Sequence, residues 1–401
     1  MNKKLIALAI AGAFCAPLVA SADNSSVTIY GEFAGSLDNV DGGSAAASGG
    51  TPASSESRGR VSSNNSFLGF KGSEDLGNGL SAIWAYEQSI AIDKQNINNN
   101  ANDTNADVTS NQSRRNTFVG LSSKTMGALT VGVQESPTKT STGPLDVFGQ
   151  HTLADYRSLI GAVGGSVRAQ NSLLYTSPTL SGFTGKLMWA AQNEAGNATN
   201  TTNPTNPSFW SGSVAYNNGP IYGVLAYERN KGLSTTATAP FAGNITTFAT
   251  TSTNSDVLKT TRLGFGYKFG AAKIGVGYER TKLDGISSFT VGGAATAAGD
   301  TKRNAWYVSG QYDIGNNAIK AAYTHAGSYS HTTQTGAKQI SIGASHSFSK
   351  RTEMFALYTR VSNNDNNSYA LGGGATGVAA VTPAKNGENP RGFSVGMVHK
   401  F

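Results

Sequence analysis

Residue types able to do bond chemistry are few and scattered in this 401-residue chain. The five histidines, His151, His325, His331, His346 and His399, stand apart, and none has a spacing that would activate a nucleophile or close around a metal. Neither a Gly-x-Ser-x-Gly elbow nor a His-Glu-x-x-His helix is expected. Asp38, Asp41 and Asp365 could share a divalent cation with carbonyl oxygens, but their spacing is unspecific. Cys15 is the single cysteine, which removes disulfide scaffolds, zinc ribbons and iron–sulfur clusters. We therefore expect no cofactor and no enzyme activity. What remains is the chemistry of charge: Lys+Arg 31 against Asp+Glu 24 gives +7 in a chain only 14% charged. About a quarter is usual, so the few charges have to be understood through the elements that place them.

The first such element is removed in processing. Lys3 and Lys4, an apolar stretch from Leu5 to Val19, and Ala20-Ser21-Ala22 read as a cleaved export signal over 1–22, with the mature chain starting at Asp23. Cys15 is apolar filler in that leader, and loss of Lys3 and Lys4 leaves 29 − 24 = +5. Export takes the chain away from nucleic acid, so its mild basic excess points to no such partner. Beyond the leader, no apolar run reaches the roughly 18 residues that a membrane helix needs.

From Val27 onward the pattern has period two. Val27-Thr28-Ile29-Tyr30-Gly31-Glu32-Phe33 alternates apolar or glycine with polar residues, as do Leu129 to Gln134, Lys273 to Glu279 and Gln339 to Ser345. Short turns fall at Leu76 to Gly79, Thr125 to Gly127, Leu180 to Gly182, Asn217 to Pro220, Phe269 to Ala272, Asp313 to Asn317 and Ser349 to Thr352. Long loops alternate with them, over 39–65, 91–113, 136–166, 194–207, 231–255, 283–300, 327–336 and 362–389. Seven turns and eight loops separate about sixteen strands, the layout of an outer-membrane barrel with short periplasmic turns and long outer loops. In lipid only a closed sheet satisfies its own backbone, and at this size the lumen holds water. Residues 23–401 thus read as one all-β, sixteen-stranded antiparallel transmembrane barrel. Aromatics near strand ends, among them Tyr30, Trp84, Trp189, Trp210, Tyr222 and Trp306, read as interfacial girdles.

Several runs resemble the general porins of Gram-negative outer membranes, specifically the neisserial and beta-proteobacterial type. They are Val27-Thr28-Ile29-Tyr30-Gly31, the run Gly69-Phe70-Lys71-Gly72-Ser73-Glu74-Asp75-Leu76-Gly77-Asn78-Gly79-Leu80, and Phe118-Val119-Gly120-Leu121. Asn171-Ser172 with Tyr175-Thr176-Ser177-Pro178, then Phe348-Ser349-Lys350-Arg351-Thr352 and His399-Lys400-Phe401, extend the match to the chain's end. The resemblance implies a homotrimer passing ions and small hydrophilic solutes by passive diffusion. It also implies outer-membrane lipid and lipopolysaccharide as surroundings, and a third loop, 136–166, folded inward. A channel specific for one sugar, amino acid or organic acid on the same barrel is the alternative. Phe393, Val395, Met397, His399 and Phe401 share one face, like the C-terminal signal that barrel-assembly machinery reads.

In this family basic wall residues face carboxylates on the inserted loop. Arg115 matches a wall arginine, and period-two counting puts it opposite Phe118; Arg168 matches another and shares a face with Gln170 and Ser172 by the same count. Arg114 and Arg60 read as mouth charges. Lys139, Asp146, Asp155 and Arg157 are the loop candidates, with Asp146 the first acidic choice because it is close to Phe148-Gly149. The sequence departs from the family in having Phe67 and Val133 where basic residues are common. A weak anion preference is the resulting expectation.

Overall fold

A computed structural model describes residues 26–42, 57–93, 115–149, 152–161, 165, 167–191, 208–231, 245–249, 257–284, 288–291, 294–296, 300–372, 380–383 and 385–401. The leader 1–22, Arg114 and His151 lie outside the described residues. The first barrel strands are β1 Ser26–Asp41, β2 in two pieces, Arg58–Ser63 and Phe67–Gly77, β3 Leu80–Ser89, β4 Thr117–Ser123 and β5 Gly127–Glu135. Next come β6 Arg168–Thr176, β7 Phe183–Ala191, β8 Ser208–Asn218, β9 Ile221–Lys231, β10 Val257–Phe269 and β11 Ala272–Asp284. The circuit ends with β12 Thr301–Ile314, β13 Asn317–Ala326, β14 Ala337–Ser347, β15 Thr352–Asn363 and β16 Arg391–Lys400. Both pieces of β2 pair with β1, so the sheet has sixteen staves. It closes where β1 meets β16, from Glu32 opposite Lys400 to Asp41 opposite Arg391, leaving no bare edge.

All seven expected turns fall between consecutive strands. The first outer loop is shorter than the sequence indicated, because β1 and β2 continue pairing from Gly35 opposite Ser63 to Val40 opposite Arg58. These polar residues remain strand because they bond across it: Arg60 Nε lies 3.2 Å from Asp38 Oδ2, near the outer end of the β1–β2 pairing. Asn65 (φ +63°) makes the bend between the two pieces of β2. Two stretches read as plain loops carry strands of their own, Ile245–Ala249 pairing with Ser288–Val291 and that with Ala294–Thr296.

Alternation sorts the two faces. Leu263 is 49% exposed, whereas its neighbour Arg262 is 0% exposed. Outward residues form an apolar band including Val27, Val119, Leu225, Ile274 and Ile342, with Trp84, Trp189, Trp210 and Trp306 among them. Tyr30 and Tyr222 leave the expected girdle and face inward, Tyr30 OH donating to Glu87 Oε1 (3.0 Å) and Tyr222 OH to the Ser141 carbonyl (2.6 Å). Phe393 and Met397 are exposed on the outer side, while Ser394 between them is buried. The run Gly392-Phe393-Ser394-Val395-Gly396 fits Gly-x-Ser-x-Gly in letters, yet it lies within straight β16 and Ser394 Oγ donates to Asp38 Oδ1 (2.7 Å). Asp38 and Asp41 also bind Arg60 and Arg391, which leaves neither disposed to hold a cation with Asp365.

Candidate functional site: the lumen constriction

Loop 136–166 enters the lumen directly from β5. Ser136 caps helix α1, Pro137–Ser141, by accepting from Lys139 N (3.1 Å), and proline stands at the first turn where its missing N–H costs nothing. The helix lies along β7 to β10. Beyond it, Leu145 seats on β10 and β11, Phe148 reaches Gly343 of β14, and Leu153 reaches Gly392 of β16. The chain then doubles back: the Tyr156 and Tyr307 rings stand 4.6 Å apart, the Leu159 carbonyl accepts from Arg303 Nη2 (2.9 Å), and Gly161 N donates to Glu279 Oε1 (3.0 Å). Gly165 N ends the return leg on Glu228 Oε1 (2.9 Å). Both legs therefore lie on one arc of wall, β7 through β16.

Inward register explains that seat. Cross-strand pairs on β10 and β11 run Arg262 with Glu279, Gly264 with Gly277, Gly266 with Gly275, then Lys268 with Lys273. Glycines at the middle levels clear a groove for Leu145: a Cβ at Gly264 would meet Leu145 Cδ1 at 2.7 Å, and one at Gly275 would meet its carbonyl oxygen at 2.8 Å. Ser309 Oγ donates to that carbonyl (2.7 Å). Above the groove, Glu279 takes Arg262 Nη2 at 2.7 Å and Arg303 Nη2 at 3.3 Å, while Arg262 Nη1 also donates to the Thr138 carbonyl (3.0 Å). Leu145, Phe148, Leu153, Leu159 and Ile160 join Tyr307, Leu357, Val361, Leu371 and Val381 in an apolar core inside the barrel. The eighth outer loop takes part in this core through Leu371 and Val381, and the Gly372 carbonyl accepts from Ser158 Oγ (3.3 Å).

Among the described residues the seats of the loop lie away from the opposite arc, β2 to β6, which carries the wall candidates. Arg115 Nη1 donates to Asn65 Oδ1 (2.6 Å), its Nε lies 3.5 Å from Glu87 Oε2, and its guanidinium stands 4.1 Å from the Phe67 ring centroid. The face count for Arg115 does not hold, since β4 begins only at Thr117 and Phe118 itself points inward beside Ala85 while Val119 faces out. Arg168 needs a correction too. Register shifts between Gly132 and Gln134 put Ala169 opposite Gln134 and Ser172 opposite Gly132, with Asn171 at φ +51°, so this bulge breaks the face Arg168 was expected to share with Ser172.

Glu135, not singled out in the sequence, organises this arc. Its Oε1 takes Arg168 Nη2 at 2.7 Å and Lys139 Nζ at 3.0 Å. Burial pushes Lys139 down to about 8 even with Glu135 beside it. Asp155 and Arg157 pair with each other inside the loop (2.7 Å) and are buried there. Asp146 is tucked in as well: Oδ1 accepts from Phe148 N (3.0 Å), Oδ2 is shut from solvent with no hydrogen bond, and burial next to Asp155 raises the carboxyl to about 6. The structure thus gathers Lys139 and Arg168 on one carboxylate, sets Arg115 on Glu87, and separates Asp155, Arg157 and Asp146 from both. Glu228, Arg262, Glu279 and Arg303 were missed, although each alternates with an outward aromatic or aliphatic such as Tyr227, Leu263 or Tyr278.

A closed antiparallel barrel with an apolar outer band, a polar inner face and a loop narrowing its lumen is a transmembrane channel. Residues 7–366 match the Gram-negative porin family, and the chain belongs to it. Outer membrane porin protein 32 of Delftia acidovorans is 28% identical over 411 residues, spanning 100% of both chains. The major outer membrane protein P.IB of Neisseria meningitidis serogroup B is 28% identical over 355 residues, 88% of this chain and 91% of its own. Among solved structures, the anion-selective porin from Comamonas acidovorans superposes with a TM-score of 0.69 at 25% identity, over 94% of this chain and 100% of that one. The trimer form of Vibrio cholerae OmpT, 16% identical with a TM-score of 0.62 over 94% and 100% of the chains, shares the fold. The protein is an outer-membrane porin, a channel for passive diffusion.

Proposed function

We propose that this porin is a weakly anion-preferring homotrimer in which water and solutes pass along the β2–β6 arc, without bond chemistry. One observation carries the charge preference: Arg168 and the buried Lys139 share the single carboxylate of Glu135, which leaves a net positive charge where the loop meets the open arc. Lys71 and Lys186 add to the positive inner wall below it, while Arg115 and Glu87 offset one another. Cations held in a narrow, low-dielectric passage concentrate anions more than the same charges on an open surface. Arg115 and Arg168 line the passage and the buried Lys139 adds its charge from behind Glu135; Asp155 with Arg157 and the Asp146 carboxyl hold the loop's shape. The anion-selective porin from Comamonas acidovorans, similar over nearly the whole chain, supports this reading, and the trimer form of OmpT supports the oligomer. Cleavage after Ala22, insertion through a C-terminal strand ending at Phe401, and contact with lipopolysaccharide around the barrel complete the proposal.

The test is the reversal potential of the folded protein in a planar bilayer under a KCl gradient. Chloride preference that shifts toward potassium in Arg168→Ala and Lys139→Gln supports the reading. A wild-type potential on the potassium side overturns it.

A further inference from the structure

The lowest level of the β10–β11 register holds two lysines directly opposite each other, Lys268 and Lys273, one step to the periplasmic side of the Leu145 groove. Like charges facing across a strand pair destabilise it, and among the described residues neither lysine has a carboxylate within ion-pair distance. The row continues through Gln311, the cross-strand neighbour of Lys273, to Lys320, the neighbour of Gln311. Lys320 is paired with Glu353 (2.9 Å), and Asp313 accepts from the Gln311 amide (2.7 Å). Asp146, beside Leu145 in the groove, is close enough to act on Lys273 electrostatically, but its Oδ1 accepts from Phe148 N (3.0 Å) and its Oδ2 is shut from solvent, so it forms no ion pair with either lysine.

We propose that Lys268 and Lys273 form a subsite for a small multivalent oxyanion at the periplasmic exit, distinct from the constriction. Opposed residues of an antiparallel pair set their Cβ atoms about 5 Å apart, so two ammonium groups on flexible stems converge on one phosphate-sized anion. Chloride satisfies one lysine, whereas a dianion satisfies both and relieves their repulsion. Lipid head groups are not the source, because the pair faces the aqueous lumen. The proposal rests on the diffusion-channel reading, and deepens it by adding a saturable, sided step to the passage of anions such as phosphate.

Chloride current is recorded through single trimers in planar bilayers while inorganic phosphate is titrated into each chamber in turn. Wild type is expected to show saturable block, stronger from one side. The Lys268→Gln/Lys273→Gln double variant should need about tenfold more phosphate, the scale set by losing charge-assisted hydrogen bonds. Lys268→Arg/Lys273→Arg should retain the block, and each single glutamine variant should give an intermediate value if the double variant does not assemble. Equal half-blocking concentrations in wild type and the glutamine variants overturn the subsite. A potassium-preferring wild type whose phosphate block still depends on these lysines would overturn the anion-preference reading and leave the subsite standing.

Discussion

Two arcs of the same wall use charge in opposite ways. On β9 to β12, Glu228, Arg262, Glu279 and Arg303 are at most 2% exposed and are tied to one another, to Ser136 and Tyr369, and to backbone groups of the folded-in loop. On β2 to β6, Arg115 pairs with Glu87, and Arg168 pairs with Glu135, the carboxylate that also takes Lys139 of the loop. Identical side-chain types act as fasteners where the loop excludes water and as a field for ions where it does not. The loop's position decides which.

The largest effects should come from the covered arc. Arg303→Ala removes a partner from Glu279, the donor to the Leu159 carbonyl and the donor to Tyr369 OH (2.6 Å). Breaking a buried pair from one side costs roughly 3–5 kcal/mol, so the return leg should detach, with higher single-channel conductance and a lower temperature for losing the folded gel form. Unchanged conductance would mean the loop is held elsewhere. Gly264→Val comes next, since its side chain would occupy the Leu145 seat. Overpacking of about 1–3 kcal/mol should widen the channel while the barrel itself stays folded, read by conductance together with heat-modifiable migration.

A pH effect of intermediate size should arise at Asp146. Its carboxyl is raised from 3.8 to about 6 in the folded loop, so the seated loop favours the protonated acid. That contribution is complete below 3.8 and is lost as pH rises through about 6. Conductance should therefore be lower at pH 5 than at pH 8, and Asp146→Asn should flatten the profile; a profile unchanged by Asn would assign the titration to another group. The smallest effect on the channel belongs to the open arc, where Arg115→Ala should shift the reversal potential slightly; taking the partner from the buried Glu87 3.5 Å away should lower stability while the barrel stays folded and its conductance is unchanged. Loss of the folded barrel in that variant would make Arg115 a fastener and erase the contrast between the arcs.

Period two placed the strands because every residue of a wall that separates lipid from water must choose a side, and the choice is visible in residue type. It failed where the ladder is irregular. The bulge at Asn171 breaks the two-residue count between Arg168 and Ser172, and Arg115 precedes the strand to which the count was applied. The extension of β1 and β2 was hidden because Asp38 and Arg60 look like loop residues until they are placed opposite each other. The wall cations Arg262 and Arg303 were legible as inward residues, but nothing in the spacing marked them as partners of a loop more than a hundred residues away.

Taken by itself, the sequence determined the alternation, the seven turns, the closed barrel and its membrane setting, all consequences of local periodicity and of backbone that must be satisfied in lipid. Only the tertiary structure decided where the passage runs. The seat of loop 136–166 depends on glycines from β10 and β11, arginines from β10 and β12, and carboxylates from β9 and β11 meeting in space. Such long-range packing leaves no period in the chain to read.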